Sequence, residues 1–211
     1  MNPPKTLPFA PAPQATHPRW LRATHWLNAL AVFLMIASGW RIYDAAPLFD
    51  WYFPRALTLG GWLGGALQWH FAAMWLLVVN GLLYLTLNLA TGRLARRFFP
   101  LHPTDIWRDL AAALRGRLAH ADLHRYNAVQ RLAYLVAIAD LLLLVCSGLA
   151  LWKSVQFPLL REAMGGYEGA RLVHFSSMAV LVGFVAVHLG MVALVPRTLR
   201  TMIGAPPRGQ A

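Results

Sequence analysis

The sequence predicts an all-α integral membrane protein, a bundle of four transmembrane helices, and three observations carry that prediction. The chain is 58% hydrophobic and only 13% charged, a balance that soluble domains of 211 residues rarely show. Four stretches, about 23–43, 66–89, 132–152 and 172–195, are each long and apolar enough to cross about 30 Å of hydrocarbon. The basic residues are shared unevenly between the segments that join them.

Taken in order, residues 1–18 carry Pro at 3, 4, 8, 11, 13 and 18 and read as an extended tail. They contain no apolar core of the kind a cleaved signal peptide needs, so the first span is expected to direct insertion. A single membrane domain is expected over 19–200, followed by a short tail at 201–211. The connection after the first span, about 44–65, holds Phe49, Trp51, Tyr52, Phe53 and Trp62, residues that favour the membrane–water interface. The connection after the second span predicts a helix starting at Thr104 or Asp105, just behind Pro103. Ile106, Leu110, Leu114 and Leu118 fall on one flank of it, with Arg108 and Arg115 roughly opposite. That pattern fits a helix lying on the lipid surface, and equally a solvated linker helix. No internal repeat is evident beyond the helix-hairpin layout.

A net charge of +11 is a balance often met in nucleic-acid-binding proteins. Here its distribution argues for topology instead. Lys5, Arg19 and Arg22, the eight arginines between Arg93 and Arg131, and Arg197, Arg200 and Arg208 make fourteen basic residues on one side. Arg41, Arg55, Lys153, Arg161 and Arg171 make five on the other. The positive-inside rule then puts both termini on the cytoplasmic side, with anionic lipid heads rather than nucleic acid as the partner of the charge.

Cys146 is the single cysteine and lies within the third span, which excludes an intramolecular disulfide, a cysteine-held iron–sulfur cluster and a C-x-x-C-H haem attachment. Of the eight histidines, His17, His102, His120 and His124 fall in tails or connections, while His25, His70, His174 and His188 fall within spans. Ionisable groups inside a bilayer are costly and usually mark a site. His174 and His188 are fourteen residues apart, about 21 Å of helix and nearly four turns, so both project from one face. With the N terminus inside, His25 lies near the cytoplasmic face and His70 near the outer face; the fourth span places His174 outer and His188 inner. Depth therefore pairs His70 with His174 and His25 with His188. Each pair offers two imidazoles to one iron, a frame for two non-covalently held haems. A lone histidine in an apolar helix can also be a hydrogen-bonded packing residue; four at two matched depths favour ligation. Ser38-Gly39, Gly81, Ser147-Gly148, Ser176-Ser177 and Gly183 leave room for close helices or a flat macrocycle, and Arg22, Arg41 and Arg171 are candidates for haem propionates or for lipid headgroups. Asp140, midway along the third span, either bonds to a neighbouring helix or serves a proton route.

At these residues the chain resembles the bacterial di-haem cytochrome b family of the b561 type, which includes the b subunits of nickel hydrogenases, formate dehydrogenase and thiosulfate reductase. The matching elements are R-A-T-H-W (Arg22 to Trp26), a histidine at the start of the second span, Y-N-A-V-Q-R-L-A-Y (Tyr126 to Tyr134) opening the third, and the His174/His188 spacing; together they cover about residues 19–200. The resemblance implies two b haems, the outer held by His70 and His174 and the inner by His25 and His188. It also implies electron transfer between a periplasmic redox partner and membrane quinone. Asn127 and Gln130 are then the residues expected beside a quinone carbonyl, since amide donors in a dry pocket stabilise charge on a reduced oxygen; the alternative is that both merely cap the helix. The segments Trp62 to His70 and Val195 to Leu199 are most similar to cytochromes that accompany periplasmic molybdopterin oxidoreductases, which points to such a partner. The connections expected outside are short and the chain carries no motif for molybdenum, nickel or flavin, so no catalytic residue is assigned. The other readings are a stand-alone superoxide:quinone oxidoreductase of the same fold and the b subunit of a nickel hydrogenase. The first would want a positive outer funnel. Five outer basic residues stand against Asp44, Asp50, Glu162 and Glu168, so no strong funnel is evident.

Overall fold

The computed structural model describes residues 17–115 and 127–204, and among these every regular element is helical. The tails 1–16 and 205–211, and the stretch 116–126 with Leu118, His120, His124 and Tyr126, lie outside the described residues. Four long helices cross the membrane: α1 (Arg19–Tyr43), α2 (Leu63–Ala90), α5 (Ala128–Trp152) and α7 (Gly166–Leu194). Short helices join them: α3 (Arg93–Phe98) and α4 (Pro103–Leu114) between α2 and α5, α6 (Pro158–Ala163) before α7, and α8 (Arg197–Ile203) behind it. A single 3-10 turn, Arg55–Leu57, interrupts the first connection.

Each long helix starts three to six residues earlier than hydropathy alone predicts. The added turns carry Arg19, Arg22, Arg131, Glu168 and Arg171, polar residues suited to the headgroup zone, where a helix continues after the hydrocarbon has ended. What stops the helices is backbone chemistry. The left-handed Gly92 follows α2, and Gly165 and Gly166, also at positive φ, turn the chain into α7. Pro103 opens α4 one residue before the predicted start, a first-turn position that needs no amide hydrogen. α4 docks on α5, where Asp109 Oδ2 accepts from the Ala128 amide at 2.7 Å, while Arg108 points out and pairs with Asp105 at 3.0 Å.

The packing is that of two hairpins. α1 lies along α2 and α5 along α7, and the two pairs meet over a narrow apolar belt at mid-depth: Ala31, Val32 and Ile36 of α1, Leu77 of α2 and Leu181 of α7, with Leu141 and Leu144 of α5 against them. The outside is apolar too, with Val79 63% and Val187 68% exposed, as a lipid-facing surface requires. Inside, the fully buried positions are small (Ser38, Ser147, Ala66, Ala150, Ala170), which lets backbones approach.

At the end of the bundle holding the α1–α2 and α5–α7 connections (the loop end), the expected interface aromatics form a cap. Trp40 stacks on Phe53 at 4.5 Å, Tyr43 stands 5.0 Å from Phe175, and Trp51 is 4.7 Å from Phe53. Tyr43 Oη donates to the Phe49 carbonyl and accepts from the Phe49 amide, and Arg171 of α7 donates to the Ala46 carbonyl at 2.6 Å. At the opposite, terminal end, the Trp26 indole donates to the Met202 carbonyl at 3.4 Å, which ties α8 beneath α1.

Candidate haem-binding site

The four span histidines converge as two pairs. His70 of α2 faces His174 of α7 near the loop end, with ring centroids 6.4 Å apart and planes at 68°. His25 of α1 faces His188 of α7 near the terminal end, at 6.2 Å and 63°. Both pairs bridge the two hairpins. An imidazole nitrogen sits about 2 Å from a coordinated metal, and the ring centre lies about 1.1 Å farther on, so two rings on opposite faces of one iron place their centroids roughly 6.3 Å apart. Both gaps fit that requirement. Among the described residues no three His, Cys, Asp or Glu side chains converge on a point, so the donor sets are pairs, as a macrocycle that fills the other four positions of its iron demands.

The loop-end pair is built by the same device twice. Ser38 of α1 places Oγ 3.0 Å from His70 Nδ1, and Ser147 of α5 places Oγ 2.9 Å from His174 Nδ1. The next residue in each case is a glycine, and a Cβ on Gly39 or Gly148 would stand 3.4 Å from the Cε1 of that same imidazole. The hairpins α1–α2 and α5–α7 thus share a pseudo-twofold relation at this level. From sequence both Ser-Gly dipeptides read only as small residues that leave room; their recurrence, each one helix before an intramembrane histidine, is the signal of the further role.

The terminal-end pair is framed differently. Phe184 stacks on His188 at 5.8 Å and 12°, Trp26 stands edge-on to His25 at 5.4 Å, and among the described residues neither imidazole makes a hydrogen bond to protein. Arg22, one turn before His25, buries its Nε with no acceptor among the described residues, as a site for an anionic propionate would leave it. The other two propionate candidates are engaged: Arg41 lies 3.7 Å from Asp44, and Arg171 pairs with Glu168 at 2.8 Å.

Asn127 and Gln130 form a reciprocal capping box at the start of α5. Asn127 Oδ1 accepts from the Gln130 amide at 2.7 Å, and Gln130 Oε1 accepts from the Asn127 amide at 3.2 Å. Both side-chain carbonyl oxygens are used in this way, and neither side-chain NH₂ group takes part in the box. Asp140 is buried beside Ser177 of α7, and its Oδ2 has no hydrogen-bond partner among the described residues.

Four spans, paired imidazoles across the helix hairpins and a lipid-facing exterior define a membrane cytochrome that transfers electrons through b-type haem. Residues 16–205 match the family model described as prokaryotic cytochrome b561, and the chain belongs to that family. It is a multi-pass protein of the bacterial inner membrane. A relative from Azospira oryzae, named putative protein-methionine-sulfoxide reductase subunit YedZ1, is 65% identical over 189 residues, which span 90% of this chain and 96% of the relative.

Proposed function

We propose that the chain holds two b haems, one between His70 and His174 and one between His25 and His188, and links membrane quinone to a periplasmic redox partner. The observation that carries this reading is the pair of matched ring gaps, 6.4 and 6.2 Å, set at two levels of one helix. The levels are fourteen residues apart on α7, about 21 Å. Two such groups, when bound, relay single electrons across the bilayer.

The excess of basic residues around the terminal end orients that end to the cytoplasm, with lipid headgroups as counterions, and the loop end to the periplasm. The chain's own residues then divide the work. The histidines hold and orient, Arg22 offers a cation one turn from His25 with its Nε buried, and the mid-depth belt from Ala31 to Leu181 keeps water from the space between the levels. Asn127 and Gln130 sit at the terminal end, where their NH₂ groups can donate to a quinone carbonyl while their oxygens cap α5.

The name borne by the relative supports a reductase of oxidised protein methionine as the partner, in line with the molybdopterin oxidoreductase expected from sequence. Reducing a sulfoxide consumes two electrons and two protons and releases water and a thioether. Electrons would therefore run outward, from quinol at the terminal end to the partner at the loop end. The same name favours this reading over a superoxide oxidase or a hydrogenase subunit. The test is haem quantitation with a reduced-minus-oxidised spectrum on purified protein, beside His174→Ala and His188→Ala. Two b haems per chain, falling to one in either variant, is the expected result; one or none in the unaltered protein overturns the proposal.

A further inference from the structure

Resting on the two-haem reading, we infer that Ser38 and Ser147 are positioning residues that fix the tautomer and basicity of the loop-end imidazoles, so that the potential of the loop-end haem, and not of the other, is set by two serine hydroxyls. The argument begins with proton counting. Ser38 Oγ lies 2.6 Å from the Leu34 carbonyl, and Ser147 Oγ lies 2.7 Å from the Leu143 carbonyl, each four residues back in its own helix. A carbonyl only accepts, so each serine's one proton is committed to its own backbone. Toward the histidine, 3.0 and 2.9 Å away, Oγ has only lone pairs to offer. Nδ1 must therefore carry the imidazole proton and donate it. The Met35 and Leu144 carbonyls, 3.3 and 3.2 Å from the same two hydroxyls and each three residues before its serine, offer those protons a second backbone acceptor and leave none for the ring. Nε2 is left with its lone pair free to bind iron.

The second observation is that the device is complete twice and missing twice. Both loop-end rings have the serine, its hydroxyl proton committed to its own helix backbone, and the adjoining glycine, whose absent side chain leaves the space for Cε1. His25 and His188 have no hydrogen bond of this kind among the described residues, only aromatic neighbours. An Nδ1–H that donates gives its ring part of the character of an imidazolate. It becomes a stronger donor to ferric iron, which favours the oxidised state. Removing an outer partner of a metal-bound histidine typically changes the property it tunes tenfold or more. A tenfold change in the oxidised-to-reduced ratio is 59 mV for one electron.

The test is redox potentiometry of the haem-loaded protein in detergent, with Ser38→Ala, Ser147→Ala, the double variant and the matching Ser→Thr variants. The loop-end haem is identified as the one lost in His70→Ala. Each alanine is expected to raise its midpoint by about 59 mV for a tenfold effect, with the other haem unmoved. Threonine keeps the hydroxyl and should restore the native value. A helix-packing role alone would not give a shift confined to one haem and rescued by threonine. Where an alanine variant fails to retain haem, Ser→Cys reads the same quantity, because sulfur fills the site and only weakens the bond; an intermediate shift is expected. Two haems present with the loop-end midpoint unchanged in the double variant overturns the inference. Fewer than two haems in the unaltered protein overturns the reading beneath it.

Discussion

Asn80 donates from α2 to Asn28 of α1 at 2.6 Å, and the same amide nitrogen reaches the Thr24 carbonyl at 2.8 Å. Thr24 immediately precedes His25, so one buried side chain fixes how α1 lies on α2 beside the terminal-end imidazole. Asn80→Leu removes both bonds. Interhelical hydrogen bonds in membranes contribute about 1 kcal/mol. The expected outcome is a stability loss of that size in detergent unfolding and weaker haem retention at the His25/His188 site, with the other site kept.

The pairing of ligands makes a sharp prediction about double variants. His70→Ala and His174→Ala act on one site, so the double variant should lose one haem, as each single does. His70→Ala with His188→Ala should lose both. Haem quantitation by the pyridine method checks this, and any crossed pattern would reassign the partners.

Gly39 and Gly148 stand where a Cβ would meet an imidazole carbon at 3.4 Å. Alanine at either position is expected to displace the ring by a few tenths of an ångström. Leucine is expected to fill the cradle and cost the loop-end haem while leaving the terminal-end spectrum in place. Gly183, with open space around its would-be Cβ, serves as the control and should accept alanine without spectral change.

Capping and quinone binding can be separated at Asn127 and Gln130. Asn127→Asp and Gln130→Glu keep the oxygens that cap α5 and remove the NH₂ donors. Thermal stability should hold within a few tenths of a kcal/mol, whereas Asn127→Ala should cost about 1 kcal/mol. Quinol-driven haem reduction is expected to fall about tenfold or more in the donor-deleted pair if these amides contact the quinone, the low end of what a hydrogen bond to a charged group contributes. Unchanged kinetics in both variants would place the quinone elsewhere.

Much of this architecture is legible in the sequence because bilayer physics is one-dimensional. Length and polarity locate the spans, and depth along them is enough to pair His70 with His174 and His25 with His188. The short helices α3, α6 and α8 escape such reading, since six- or seven-residue helices show no stable periodicity and are set by their neighbours, as Trp26 and Met202 illustrate. The Ser–His bonds escape it for another reason. Serine in an apolar helix most often satisfies its own backbone, and nothing in spacing alone says that its lone pairs also face an imidazole on the next helix. Arg22 is a similar case: only the buried, unmet Nε distinguishes it from Arg41 and Arg171.

The division into two hairpins has a consequence for how the protein is made. Each half buries its own interhelical face, and the halves touch mainly through the mid-depth belt and the loop-end aromatic cap. A flat cofactor can therefore enter sideways from the lipid, between two already inserted helix pairs, rather than thread through a finished core. On the two-haem reading, a cofactor ligated from both sides acts as a rivet, and its loss is expected to loosen the contact between the halves while leaving each pair helical, which would make cofactor supply a checkpoint of assembly.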